Sequence, residues 1–407
     1  MAGWSTWRGV AAVAALLLTT SCGSLPGGDE PTKPVAEGGA PTESAQPSAP
    51  SVKPVSKDVV IDPPGKLDSS LLSSDILVYS QKSLDKSAIS QIKAVKGVEA
   101  VEPISMGSFF VEAREVTYAA VHPDTFRRFA SPGTAQTQAV WDRVAGGEIA
   151  VEPAIGRQLQ QKDGYMRLGN EASADTAHIG AYAKVLNSLG ASRIDAVVNY
   201  KWADKLNMRE DNAMIVALGE ASPASVMKQL KKYAGEDAQI EILAQNPDLS
   251  AIQTAFLTGG SVSKAVGSFS YKANPDGTVR PDPAWVSANI RTMEMPIIGP
   301  VTGHRVMLPQ LKGALSEVVA RGLGKAIKTY DGCYVPRFIG HDPSRGLSFH
   351  TYGTAIDLNA STNYRGIAGD MNRNVVAIFK NWGFAWGGDW NYTDPMHFEL
   401  AKLGKAR

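Results

Sequence analysis

The feature that most constrains this chain is a spaced set of residues near its C-terminus: Ser348-x-His350-x-x-Gly353-x-Ala355-x-Asp357, followed later by Asp394-x-x-His397. For these side chains to meet, the backbone must turn through Gly353 and bring His350 back beside a strand that carries Asp357. A second strand must then lay His397 next to the first. Apolar stretches at 355–358, 384–386 and 397–400 supply strand candidates, and helical patterns at 309–321 and 370–382 flank them. Leu311, Leu315, Val318 and Val319 form the apolar stripe of the first helix, and Gly322 ends it. Helices followed by short strands predict a small α+β domain with an antiparallel sheet over residues 285–407.

The same residues define a chemistry. Cysteine occurs only at positions 22 and 333, too few for a thiolate metal site, so a metal here must be held by imidazole and carboxylate. His350, Asp357 and His397 provide the three N/O donors that a hydrolytic zinc site requires, with a fourth position left for water. Asp394, three residues before His397, is the candidate base that takes the proton of that water and returns it to a leaving amine. Glu399 lies two residues beyond His397 on the same strand face and suits a hydrogen bond that orients the imidazole, and Ser348 is a further supporting neighbour of the ligands. Arg337, held by the bend at Pro336, is the candidate donor to a developing oxyanion. Trp386, Trp390 and Tyr392 offer a substrate wall, with aromatic packing as the default for at least one. Cys333 reads as a small buried hydrophobe, and His304 and His341 as core or loop histidines near the motif.

At these positions, over residues 285–400, the sequence resembles the D-alanyl-D-alanine carboxypeptidase family, within the superfamily of lysostaphin, D-Ala-D-Ala peptidases and the hedgehog signalling domain. The resemblance implies zinc bound by His350, Asp357 and His397 and proton transfer by Asp394. It also implies a transition-state arginine, matched by Arg337 or Arg345. The implied substrate is a peptidoglycan stem peptide, trimmed at a terminal D-Ala or cut internally, with an L-Ala-D-Glu-type endopeptidase favoured by the aspartate base. The hedgehog relatives imply an alternative, a zinc-containing binding or signalling module without catalysis.

Upstream, the chain divides by composition. Arg8 and the ten-residue apolar run at 9–18 form an export signal too short to span a bilayer, and Cys22 follows small residues as in a lipobox. The expected location is therefore extracytoplasmic: anchored through lipidated Cys22 to the outer face of the cytoplasmic membrane, or cleaved and secreted to the wall. Residues 23–73 are assigned as a disordered tether, the region up to Lys57 being Gly-, Pro-, Ala- and Ser-rich with little to bury.

A first α+β domain is expected over 74–245. It has a β-α-β unit at 75–101 and a second built from strand 213–218, a helix opened by Ser222 and Pro223, and strand 239–243. Together these make a ferredoxin-like layer, with a β-rich insert between them that includes strand candidates at 110–116, 148–151 and 194–200. The segments YAAVHPDTFRRF and GGEIAVEPAIGRQL in that insert resemble the extracytoplasmic domains of MacB- and FtsX-type ABC transporters, which implies an interaction domain with an envelope protein as partner. His122 and His178 lie there without partners at ligand spacing. The turn-rich stretch SYKANPDGTVRPDP marks residues 246–284 as a linker. With 41 basic and 40 acidic residues and no basic block, charge points to no nucleic-acid partner.

Overall fold

Alternating and continuous apolar runs in the first half pair into a mixed sheet of nine strands. The architecture is described by a computed structural model over residues 56–188, 194–243 and 252–404. Four neighbouring strands, Ala100–Val111, Ala213–Ala217, Ile76–Ser80 and Ala238–Ile242, are antiparallel in that spatial order. This is the ferredoxin-like arrangement expected from the two β-α-β units. Helices Lys86–Lys93 and Pro223–Ala234 cover one face, burying Ile92, Val226 and Leu230 against Ile76, Val78 and Val216. The sheet continues from Ala100–Val111 through Arg114–Val121 into the insert, whose strands Ala196–Asn199, Ile149–Val151, Thr176–Tyr182 and Tyr165–Arg167 complete it.

Three expectations are corrected. The segment 110–116 is not one strand: Val111 pairs with Arg114, so Glu112 and Ala113 form a two-residue hairpin turn. Glu112 takes a left-handed φ of 54°, a conformation that glycine usually fills, which is why the turn leaves no mark in the sequence. The tether expected over 23–73 is packed against the fold from residue 56 onward. Val59 and Leu72 are buried, and Arg127 donates to the Gly65 carbonyl at 2.9 Å. From residue 252 onward, the linker expected over 246–284 is a three-stranded antiparallel sheet, Ile252–Phe256, Ser268–Ala273 and Val279–Pro281, with helix Gly260–Val266 and the start of helix Pro283–Asn289. Asn274 to Gly277 is the turn inside that sheet, and Phe269 stacks on Trp285 with ring centroids 4.2 Å apart. The signal segment, Cys22 and the tether up to residue 55 lie outside the described residues.

The C-terminal part carries a four-stranded antiparallel sheet in the order Tyr330–Gly332, Ala355–Leu358, His397–Leu400, Phe384–Trp386. Helix Arg373–Asn381 packs against strand Phe384–Trp386, and helix Leu308–Ala320 packs on that helix and on the two-stranded hairpin Ile290–Met295 and Gly299–His304, with Leu311, Leu315, Val375, Ile378 and Phe379 in one core. Each apolar stripe matches the 3.6-residue period, so one helix face is buried and the other solvated.

Glu102, on strand Ala100–Val111, is the buried charge with the clearest energetic consequence. Burial pushes its carboxyl up from 4.5 to about 7, against the hydrogen bond it accepts from Thr125 at 2.6 Å. The folded state therefore binds more protons than the unfolded chain between these values. Its stabilising contribution is complete below 4.5 and is lost as pH rises through 7. Glu102→Gln is expected to leave stability near wild type at pH 4 and to raise it by up to about 3 kcal/mol at pH 8. Urea unfolding at the two pH values measures the difference.

Candidate metal centre

Sheet pairing brings the site together. Asp357 and His397 are directly opposite in the antiparallel pair of strands Ala355–Leu358 and His397–Leu400, so their side chains leave the same face as cross-strand neighbours. His350 arrives from the short helix Phe349–Tyr352. Ser348 opens that helix, its hydroxyl accepting the His350 backbone N–H at 3.3 Å. Gly353 closes it at a left-handed φ of 67°, and a Cβ there would lie 2.8 Å from the His304 backbone nitrogen. Both the conformation and the close approach call for glycine, so the turn anticipated from the sequence is present with its physical reason.

Each donor atom is oriented by a neighbour. His350 Nδ1 is 2.8 Å from the Cys333 carbonyl oxygen, which fixes that nitrogen as the N–H and leaves Nε2 facing Asp357 Oδ2 at 3.2 Å. That Nε2 is buried and makes no well-directed hydrogen bond. His397 Nδ1 lies 3.0 Å from Asp357 Oδ1, and its Nε2 lies 3.2 Å from Glu399 Oε2. Glu399 is almost wholly buried and also accepts from Asn170 at 3.4 Å, a residue of the first half of the chain. One donor atom from each of His350, Asp357 and His397 falls within 4.8 Å of the others, a candidate metal-holding group. Two imidazole nitrogens and a carboxylate oxygen are the donor set that suits zinc, and the unsatisfied Nε2 points into the space between them.

The electrostatics agree with a cluster built for a cation. Burial alone would raise the Asp357 carboxyl, but the imidazoles of His350 and His397 outweigh it and hold the group well below the ordinary carboxylate range. Burial would lower His397; hydrogen bonds to Asp357 and Glu399, with their charges, push it to about 10 instead. Asp394 behaves differently. Burial raises its carboxyl, and the Asp357 charge adds to that, against the opposing effects of His397, Arg365 and His350. Its Oδ1 is buried without a hydrogen-bond partner, although the side chain lines the same cavity as the three candidate ligands.

The remaining residues separate clearly. Arg337 lines the cavity, and its backbone is clasped by Thr351, whose Oγ1 accepts from Arg337 N and donates to Arg337 O, both at 2.8 Å. Arg345 borders a smaller neighbouring hollow and does not line the cavity of the donors. Arg365, which sequence reasoning missed, lines both, with its guanidinium 5.2 Å from the Tyr392 ring centroid. Its loop carries no motif around it, so nothing local marked it. Trp390 stands over His397 with centroids 5.2 Å apart, whereas Trp386 is buried and donates from Nε1 to the Pro395 carbonyl at 2.8 Å. Trp386 is therefore packing, Trp390 a wall of the site.

Cys333 is buried, and burial pushes its thiol far above the ordinary range. His304 is a core residue whose Nδ1 accepts from Val306 N at 3.3 Å, and burial lowers it to about 4. His341 is an exposed loop residue next to the Asp276 carbonyl. His178 is 2.6 Å from Glu148, and His122 stacks on Tyr200.

The model of the D-alanyl-D-alanine carboxypeptidase family matches residues 341–400, the segment that holds all three candidate ligands and Asp394. This match points to a peptidase and to peptidoglycan-related chemistry. Among solved structures, the chain is similar to the periplasmic region of MacB from Actinobacillus actinomycetemcomitans, at 10% identity and a TM-score of 0.26, covering 42% of this chain and 90% of that one. A likeness this weak carries no argument about fold or function. No curated protein matches the chain.

Proposed function

We propose that the chain is a zinc-dependent peptidase that hydrolyses an amide bond in peptidoglycan stem peptides. The observation that carries this reading is the convergence of His350, Asp357 and His397 with a buried, unpartnered Asp394 Oδ1, inside the segment that matches the family. The three donors would hold the ion, which when bound polarises the scissile carbonyl and makes water acidic enough to attack at neutral pH. Asp394 accepts the proton of the attacking water and returns it to the leaving nitrogen, a role suited to a carboxyl raised by burial. Arg337 and Arg365 face the cavity as cationic donors for the charge that develops on the carbonyl oxygen. Glu399 and the Cys333 carbonyl hold the two imidazoles in the tautomers that point their free nitrogens at Asp357.

This reading includes a location: outside the cytoplasmic membrane, tethered through Cys22 or released, where stem peptides occur. It is tested by incubating the purified chain with muropeptides, with and without a chelator, and weighing the products. A new fragment that disappears with chelator and returns with zinc is expected, and its mass identifies the bond. Absence of any metal-dependent product would leave the binding-module alternative.

A further inference from the structure

The hairpin made by strands Ala100–Val111 and Arg114–Val121 reaches from the nine-stranded sheet into the candidate metal centre. Its base is held on both sides: residues 100–104 pair with strand Ala213–Ala217, and residues 118–121 with strand Ala196–Asn199. Farther out, from Ser108 to Val116, the two arms pair with each other and with no third strand of that sheet. This overhang is pinned at Ser108 by the segment around Leu257 and then runs to the 348–352 helix. Phe110 packs on Phe349 and Tyr352 with centroids 4.1 and 5.7 Å away, Glu115 Oε2 accepts the Leu347 N–H at 2.6 Å, and Glu112 Oε1 accepts the Asn391 N–H at 3.3 Å.

Phe110 and Ala113 line the same cavity as His350, Asp357, His397 and Asp394, and with them in place that cavity measures only ≈ 70 Å³. Pockets that seat an organic ligand run to about 300–1,000 Å³, so the space beside the donors is small. On the other side of the tip, between Glu112 and Arg345, the hollow is ≈ 20 Å³. The seated tip therefore forms one wall of the donor cavity and narrows the space a peptide would need beside the donors. Phe110 is buried in the same core as Phe349 and Tyr352, and the other contacts that seat the tip on the C-terminal part, through Glu112 and Glu115, are polar. The turn itself is strained at Glu112, a departure from ordinary backbone that concentrates where a structure has a second state.

We propose that the tip Phe110–Glu115 is an autoinhibitory plug, and that hydrolysis requires its withdrawal from the metal centre. This rests on the metallopeptidase reading above and adds a regulation to it. The test compares the full chain with a shortened hairpin in which residues 110–115 are replaced by Asn-Gly between the paired residues Phe109 and Val116, a turn that keeps the register. Both proteins are loaded with zinc. The rate at which 1,10-phenanthroline extracts the metal and the kcat/KM on a soluble muropeptide are then measured.

The shortened hairpin is expected to lose metal at least tenfold faster and to turn over peptide at least tenfold faster. Glu112→Ala, which keeps the strained left-handed backbone and removes the carboxylate from Asn391, is expected to shift both in the same direction by less. It also keeps the test open if the shortened chain does not fold. Zinc bound with equal extraction and equal turnover in all three proteins overturns the plug alone. Faster extraction with no hydrolysis in any of them keeps the plug and removes the peptidase. No zinc binding in any protein removes both.

Discussion

Asp394→Asn is expected to lower kcat on a muropeptide by about 10²–10⁴-fold while zinc content and KM stay near wild-type values. The substitution keeps shape and removes only the capacity to take a proton. The side chain is buried, lines the donor cavity and leaves Oδ1 without a partner, so no structural hydrogen bond from that atom is lost with the charge. Asp394 also sets the acid limb of the pH profile. A base must be ionised to act, so kcat/KM should fall on the acid side as Asp394 takes up a proton; burial raises that carboxyl in the metal-free protein, and a bound cation would draw it back down. Steady-state rates from pH 4 to 9 check both statements. Undiminished turnover in Asp394→Asn would remove the residue from the mechanism and leave Glu399, the other buried carboxylate that lines the donor cavity, as the candidate base.

His350→Ala should weaken zinc binding by more than 100-fold, and Glu399→Gln by about 10–100-fold, the cost usual for losing an orienting partner of a ligand. The ranking follows from the geometry. His350 brings an imidazole nitrogen to Asp357, whereas Glu399 touches only the far nitrogen of His397. Competition with a chromophoric chelator measures both, and a reversed order would overturn the three-donor site. The same titration has a pH dependence with a definite sign. His397, pushed to about 10 by its carboxylate partners against burial, carries a proton in the metal-free protein at neutral pH. Zinc must displace that proton, so affinity should fall as pH drops, with about one proton released from this residue at pH 7.

The grouping of His350, Asp357 and His397 was legible in the sequence because its parts are local. A capped turn, a glycine in the left-handed region and two short strands are all encoded within a few residues of the ligands, and strand periodicity fixes which side chains share a face. The four-strand ferredoxin-like core was legible for the same reason, since each β-α-β unit carries its own caps and apolar stripes. What escaped depends on contacts far apart along the chain. Glu115 meets Leu347, and Glu112 meets Asn391, with no pattern near either that announces the other. The turn at Glu112 and Ala113 lacks the Asn-Gly or Gly signal of a tight hairpin, so it read as continuous strand. The Asn-Pro-Asp-Gly segment, in contrast, has a strong turn signal, but a turn inside a small sheet and a turn inside a linker look alike until Phe269 and Trp285 are seen stacked together.

The opposition of Asp357 and His397 across two strands has a consequence for how the chain finds its native pairing. A slip of one residue between these strands would send one of the two donors to the other side of the sheet. An ion that needs both on one side would stabilise the correct alignment and none of its neighbours, so it would act during folding as a proofreader of strand alignment as well as a later participant in chemistry.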